Sequence, residues 1–251
     1  MAHVIPFHGT LYNPATVGDV RQVVAPPYDI IDATLQKTLH DRHPNNVIRL
    51  ELGYEQPGDT TGDNKYLRAA GALKEWLKSG ALRRDDKPAI YYHTIEYQPP
   101  YSAPGTPTKV FKGFLSTVEL EEFGSGKIYP HENTRAAAKT DRFNLLEACR
   151  ANFSAIISLY SDPQNDVLTL IERSIASDKP RIDFQDDVGF RQRLWSVTDP
   201  AVLAKVVEIM HTKQLFIADG HHRYETALNY RRARRQQAGA PSGPQSYDNV
   251  L

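Results

Sequence analysis

Apolar and polar residues follow two rhythms along this chain. Over residues 63–79 the apolar positions Tyr66, Leu67, Ala70, Leu73, Trp76 and Leu77 recur at steps of three and four. That spacing predicts an amphipathic helix, with Gly80 in the place of a C-terminal glycine cap. Asp199-Pro200 sets a capping side chain before a proline at the first helical position and predicts a helix to about His211. Further helices are expected over 32–41, ending before His43-Pro44, over 141–151 with Thr140 as N-cap, over 165–176, and from His221 to about Gln237. Strand-like runs lie at 4–7, 21–25, 46–52, 153–160 and 214–218. Residues 89–97 and 109–120 read as a hairpin with a long tip rich in Pro, Ser and Gly, and 53–62 as a loop.

These elements alternate without becoming a regular βαβ series. The expected fold is therefore α+β, a mixed, partly antiparallel sheet with flanking helices. No shift in composition marks a boundary, so 1–251 reads as one region, and 1–85 and 86–251 are the lobes into which it would divide. There is no internal repeat. The final residues, Tyr247 to Leu251, look like the opening of a strand, so the chain is expected to be a fragment of a longer protein.

Composition narrows the class without naming a chemistry. The 251 residues hold 30 Lys+Arg against 30 Asp+Glu, a balance that argues against nucleic acid and anionic membrane as partners. Cys149 is the single cysteine, so no internal disulfide can form. The start lacks a basic segment followed by an apolar run, and no apolar stretch approaches the roughly 20 residues that span a bilayer. A soluble, cytoplasmic globular protein is the expectation, and composition alone says nothing of its activity.

The densest chemistry lies in Leu215-Phe-Ile-Ala-Asp219-Gly220-His221-His222-Arg223. A strand, a tight turn and a helix start follow one another there. The first amides of a helix lack internal acceptors and sit at the positive end of its dipole, which suits an anion. Gly220 allows close approach of a phosphate, Arg223 offers a planar fork, and His221 and His222 can donate further bonds. Asp219 could hold a metal ion, orient a hydroxyl or simply cap the helix. Zinc chelation by the two adjacent histidines is disfavoured, because neighbouring helical residues point about 100° apart.

A second cluster runs Tyr129-Pro-His131-Glu132-Asn133-Thr134 and continues to Lys139, Thr140, Asp141 and Arg142. It offers Glu132 or His131 as an acid or base, Thr134 as a hydroxyl and Arg142 as a cation. Ala25-Pro-Pro-Tyr28-Asp29 is a third, in which two prolines stiffen the mount of Tyr28 and Asp29. His43-Pro44-Asn45-Asn46 with Arg49 is a weaker set. Gly124-Ser-Gly126-Lys127 lacks the spacing of a phosphate loop. Arg231, Arg232, Arg234 and Arg235 read as a solvated helix end.

Taken in order, Ile5-Pro-Phe7 with Ala25-Pro-Pro-Tyr-Asp29, Pro130-His-Glu-Asn-Thr134 with Asp141-Arg142, and Ile217-Ala-Asp-Gly-His-His-Arg-Tyr-Glu225 resemble the bacterial and archaeal family known as domain of unknown function 1015. Members of that family continue past the point where this chain stops. The Asp-Gly-His-His-Arg turn is in turn similar to the phosphate-binding turn of the ParB/sulfiredoxin superfamily, which includes a free-serine kinase and chromosome-partitioning nucleotidases. This resemblance implies that Gly220, His221, His222 and Arg223 hold nucleotide phosphates with Asp219 near the acceptor. Sulfiredoxin chemistry is not implied, since its cysteine is absent from the turn, and Cys149 has the apolar surroundings of an inert thiol.

The resulting expectation is a phosphotransferase that moves a phosphoryl group from ATP or ADP, with Mg2+, to a small hydroxyl compound such as free serine. Asp219 and His222 would act in catalysis with Glu132 or Asp29 as base, while His131, Thr134 and Arg142 join the turn in holding phosphate. The alternatives are a nucleotide-sensing module with the same turn and no chemistry, and a ParB-like nucleotidase associated with DNA.

Overall fold

In the computed structural model, which describes residues 3–103, 105–124, 126–132, 136–238 and 243–251, the strongest periodic segments become the expected helices. The chain forms β1 (Val4–Ile5), β2 (Thr10–Tyr12), α1 (Pro14–Val17), 3-10 turns at Val20–Gln22 and Tyr28–Ile30, α2 (Ala33–Arg42), α3 (Ile48–Glu51) and α4 (Lys65–Ser79). It continues through β3 (Leu82–Arg84), β4 (Ile90–Tyr97), β5 (Lys109–Leu115), β6 (Thr117–Glu119), β7 (Ile128–Tyr129) and α5 (Ala136–Cys149). Then come β8 (Ile157–Leu159), α6 (Asp166–Ser174), β9 (Ile182–Gln185), β10 (Arg191–Val197), α7 (Pro200–His211), β11 (Leu215–Asp219), α8 (His221–Ala238), a 3-10 turn at Ser246–Asp248 and β12 (Asn249–Val250).

The fold is α+β, with its strands divided among several small, mostly antiparallel sheets. β5, β4, β10 and β9 form an antiparallel sheet in that order; β1, β6 and β12 form a second, and β2 pairs with β3. In the remaining sheet β11 lies between β7, to which it is parallel, and β8, to which it is antiparallel. The main core joins the three larger sheets to α6, α7 and α8 through Ile90, Ile171, Val206, Ile217 and Tyr224. A second cluster around Val23, Leu50, Trp76 and Leu82 fills the region between α1, α3 and α4. No helix among the described residues is long and apolar enough to cross a membrane.

Local capping explains the helices read correctly. Asn64 accepts from the amides of Tyr66 and Leu67, and Gly80 ends α4 in the left-handed region at φ +77°. Asp199 accepts from the amides of Ala201 and Val202 to open α7, and Asp32 caps α2. Thr140 lies inside α5 rather than at its N-cap, since the helix begins four residues earlier. On α4, Leu67 and Leu77 stay exposed beside buried Ala69 and Trp76.

Two expected strands are helical turns instead. At 21–25 the Asp19 carboxylate accepts from the Arg21 amide and closes a 3-10 turn. At 46–52 the buried Asn46 side chain accepts from the Ile48 amide and donates to the carbonyls of Gln22 and Val24, fixing a turn of helix. Of the run 153–160, only Ile157–Leu159 is strand. The β9–β10 pair, whose polar-rich alternation gave no clear signal, completes the large sheet.

Because Asn46 has no solvent exposure, Asn46→Ala leaves two carbonyls and one amide without their partner, and we expect a loss of about 3 kcal/mol of unfolding free energy. Urea denaturation checks this, and a loss below about 1 kcal/mol would show that the turn is held by something else.

Candidate functional site

Parallel pairing of β7 with β11 puts the carboxyl ends of both strands, and the loops that leave them, on one edge of the sheet. Ligands of open α/β sheets gather outside such ends. From β11 the chain turns at Gly220, whose φ of +96° is a conformation side-chain-bearing residues rarely adopt. A Cβ there would also lie 3.0–3.1 Å from the Arg223 guanidinium, which folds back over the turn. Helix α8 starts at once, its first internal bond running from the Tyr224 amide to the Gly220 carbonyl at 3.0 Å.

The loop after β7 brings His131 and Glu132 to the same corner. The His131 amide donates to His221 Nε2 at 3.3 Å, and the two imidazoles meet edge to face at 4.5 Å between centroids. His131 Nδ1 donates to the Ile217 carbonyl at 2.8 Å, which fixes that ring and turns Nε2 toward Glu132, 3.6 Å from Oε1. Glu132 Oε2 lies 3.6 Å from His221 Nδ1. One exposed carboxylate thus stands between two imidazoles, close to both and just beyond hydrogen-bond distance. Burial lowers the pKa of His221 below its ordinary value; Glu132 opposes that and His131 reinforces it. His221 is therefore neutral at pH 7.

Arg223 does not present an open fork. Its guanidinium donates to the Asp219 carboxylate and to the Ala155 carbonyl. Arg142 is more fully enclosed. It bonds Glu51 Oε1 at 2.8 Å, the Glu51 carbonyl at 3.0 Å and Asp141 Oδ2 at 2.5–2.9 Å, and the Tyr28 ring covers it at 4.2 Å. Asp141 also accepts from Tyr66 and pairs with Lys65, both at 2.9 Å. Burial pushes the Glu51 carboxyl up, with Arg142, Ser154 and Arg223 opposing. Burial also pushes up Asp141, but Arg142, Lys65 and Tyr66 outweigh it and hold that carboxyl below the ordinary range. Arg223 is near enough to bear on Tyr28 as well as Glu51, so the three sequence clusters converge around the two arginines.

A family model described as "Protein of unknown function (DUF1015)" matches residues 4–251. This chain belongs to the DUF1015 family. No curated protein and no solved structure matches it.

In this DUF1015 chain the structure brings Asp219, Gly220, His221 and Arg223 together with His131 and Glu132, and it places His222 in the first turn of α8. Asp29 sits exposed in the 3-10 turn at Tyr28–Ile30. Arg142 is a buried strut whose guanidinium bonds Glu51 and Asp141. Thr134 and Asn133 lie outside the described residues. No group of three or more His, Cys, Asp or Glu suited to a metal occurs among the described residues. Cys149, at the end of α5, is pushed up to about 11 by burial, as befits an inert thiol.

Glu51 is the residue that sequence reading missed. Its signal was a lone carboxylate in the run Ile48-Arg-Leu-Glu-Leu, which has to find a cation once buried. Glu121 is another. Its carboxylate lies over Gly126 and accepts from the Lys127 amide at 2.6 Å, so an internal anion occupies the space beside these two residues. Of the arginines expected at a solvated helix end, Arg232 and Arg235 are exposed and pair with Glu122 and Asp248, whereas Arg231 is buried and bonds the Leu120 carbonyl and Glu122.

The depressed pKa of His221 sets a pH dependence. The unfolded chain takes up this proton at a higher pH than the folded protein does. The stability His221 contributes is complete above its unfolded value of 6.5 and is lost as pH falls through the lower folded value. His40 and His93 are depressed in the same direction. The melting temperature should fall between pH 7.5 and 5.5, and fall less steeply in His221→Gln. Parallel pH profiles for the two proteins would contradict the assignment.

Proposed function

We propose that the corner formed by His131, Glu132 and residues 219–223 binds the phosphates of a nucleotide and transfers one phosphoryl group to a small hydroxyl compound. The observation that carries this reading is the Glu132 carboxylate standing between two imidazoles at the N-terminus of α8. Phosphoryl transfer asks for positioned phosphates, neutralised charge and a group that takes the hydroxyl proton. The amides that open α8 and the His222 imidazole would hold the phosphates, the Arg223 guanidinium would offset their charge, and His221, buried and accepting from the His131 amide, positions the loop that carries Glu132. Glu132 answers the third, accepting the proton as the hydroxyl oxygen bonds to phosphorus and the bond to the leaving nucleotide phosphate breaks. Asp29 is the second candidate for that proton.

Mg2+ commonly rides on substrate phosphates with one or two protein carboxylates; Asp219 is the carboxylate of this corner suited to it. Phosphate arriving at the turn competes with Asp219 for the Arg223 guanidinium, which frees Asp219 for that role. The likeness of the turn to the ParB/sulfiredoxin superfamily, with its free-serine kinase, supports a small hydroxyl acceptor. A small-molecule substrate handled in the cytoplasm is the setting that fits the balanced charge and single cysteine.

The Asp219–Arg223 pair also favours a second reading, in which the corner senses a nucleotide without turning it over. One experiment separates the two. Purified protein is incubated with γ-labelled ATP, Mg2+ and a panel of hydroxyl compounds including serine. Transfer should fall about a hundredfold or more in Glu132→Gln and in His222→Ala. Unchanged transfer in both variants removes the mechanism, and nucleotide-induced thermal stabilisation with no labelled product establishes the sensing reading instead.

A further inference from the structure

One face of the β7–β11–β8 sheet packs into the core through Ile128, Leu215 and Ile217, each 5 % exposed or less. Its other face carries a row of large apolar side chains. Tyr129, Phe216 and Leu159 are direct cross-strand neighbours. They are 38 %, 45 % and 55 % exposed, with Ile157 beside them at 47 %. The Tyr129 and Phe216 rings stack at 5.3 Å between centroids with 21° between planes. A contiguous apolar patch held on strands rather than scattered over loops marks a place where something binds.

The position of the row says what that something is. Tyr129 stands two residues before His131, and Phe216 three before Asp219, on the strands that deliver both residues to the corner. At about 3.3 Å per residue, the aromatic pair lies roughly 7–10 Å from it. The row is uncharged, while the corner beyond it holds His, Glu, Asp and Arg side chains. A ligand that suits both is planar and apolar at one end and anionic at the other. The outer rim of the row is polar, where the Gln214 amide donates to the Tyr129 hydroxyl at 3.3 Å. Stacking on aromatic side chains accepts any base, because every base has a π face.

We infer that the Tyr129–Phe216 pair is the platform on which the heterocyclic base of a nucleotide stacks. This rests on the reading of the corner as a phosphate site, and it names the substrate end that the corner leaves open. Phosphates at the start of α8 and a base on Phe216 place the ribose over the end of β11, beside Ala218, which is exposed.

Calorimetric titration of the full chain with ATP and with inorganic tripolyphosphate tests the inference, using wild type, Phe216→Leu and Tyr129→Leu. Both substitutions keep an apolar side chain at an exposed strand position, and melting curves confirm that the variants fold. ATP should bind the wild type roughly tenfold or more tightly than tripolyphosphate. Each variant should lose most of that preference while its affinity for tripolyphosphate stays within about twofold of the wild type. Equal affinities in the wild type, or an undiminished preference in the Phe216→Leu/Tyr129→Leu double variant, overturn the platform and leave the phosphate corner standing. A dimer that Phe216→Leu dissolves also overturns it, since a second copy then covers the face. Failure of both compounds to bind overturns the phosphate corner itself.

Discussion

Two rungs of parallel β-structure, Ile128 against Leu215 and Tyr129 against Phe216, govern everything at the candidate site. Without them His131 and His221, 90 residues apart, would have no reason to meet. Parallel pairing sends both chains out of the sheet on the same side, and each reaches its polar cluster two or three residues beyond the last rung they share. Gly220 then allows the second chain to reverse into α8 within one residue, which aims the helix N-terminus at the loop carrying Glu132.

Around that corner the protein uses its arginines as internal fasteners. Arg142 joins α5 to Glu51 of α3, Arg231 joins α8 to the Leu120 carbonyl, Arg235 holds Asp248, and Arg223 ties the turn to Asp219 and Ala155. The planar guanidinium can satisfy a carbonyl and a carboxylate together, which suits it to this work better than lysine. Along α8, Arg231, Arg232 and Arg235 each have a carboxylate partner, in Glu122 or Asp248. Removing one partner of a buried pair such as Arg142–Glu51 leaves an uncompensated buried charge, which costs more than the intact pair contributes as a net gain.

Where a residue acts on its own neighbours, the sequence revealed its role. Asp199 before Pro200 and Gly80 behind α4 act over one to four residues, and α4, α7 and α8 lie close to where the sequence put them; the cap at Asn64, read as inside the helix, emerges only in the structure. The strand, turn and helix start at 219–223 were legible for the same reason, because they are consecutive in the chain. Long-range partners were hidden. Nothing in Arg142 announced Glu51, 91 residues away, and nothing in Arg223 announced the Ala155 carbonyl. The helical turn at 46–52 depended on Asn46 reaching Gln22 and Val24, and a run of apolar residues concealed it. Glu132 could be picked out as a candidate base, but its place between two imidazoles follows from the sheet and from no local pattern.

The central claim is that the amides opening α8 form a seat for phosphate, with the loop of His131 and Glu132 beside it and Glu132 placed to take the acceptor's proton. It is tested most directly by following backbone amide resonances during titration with inorganic pyrophosphate. Saturable shifts confined to residues 131–132 and 219–223 are the predicted result. A spectrum in which those amides stay still, or in which shifts fall instead on the arginines of residues 231–235, would contradict the account.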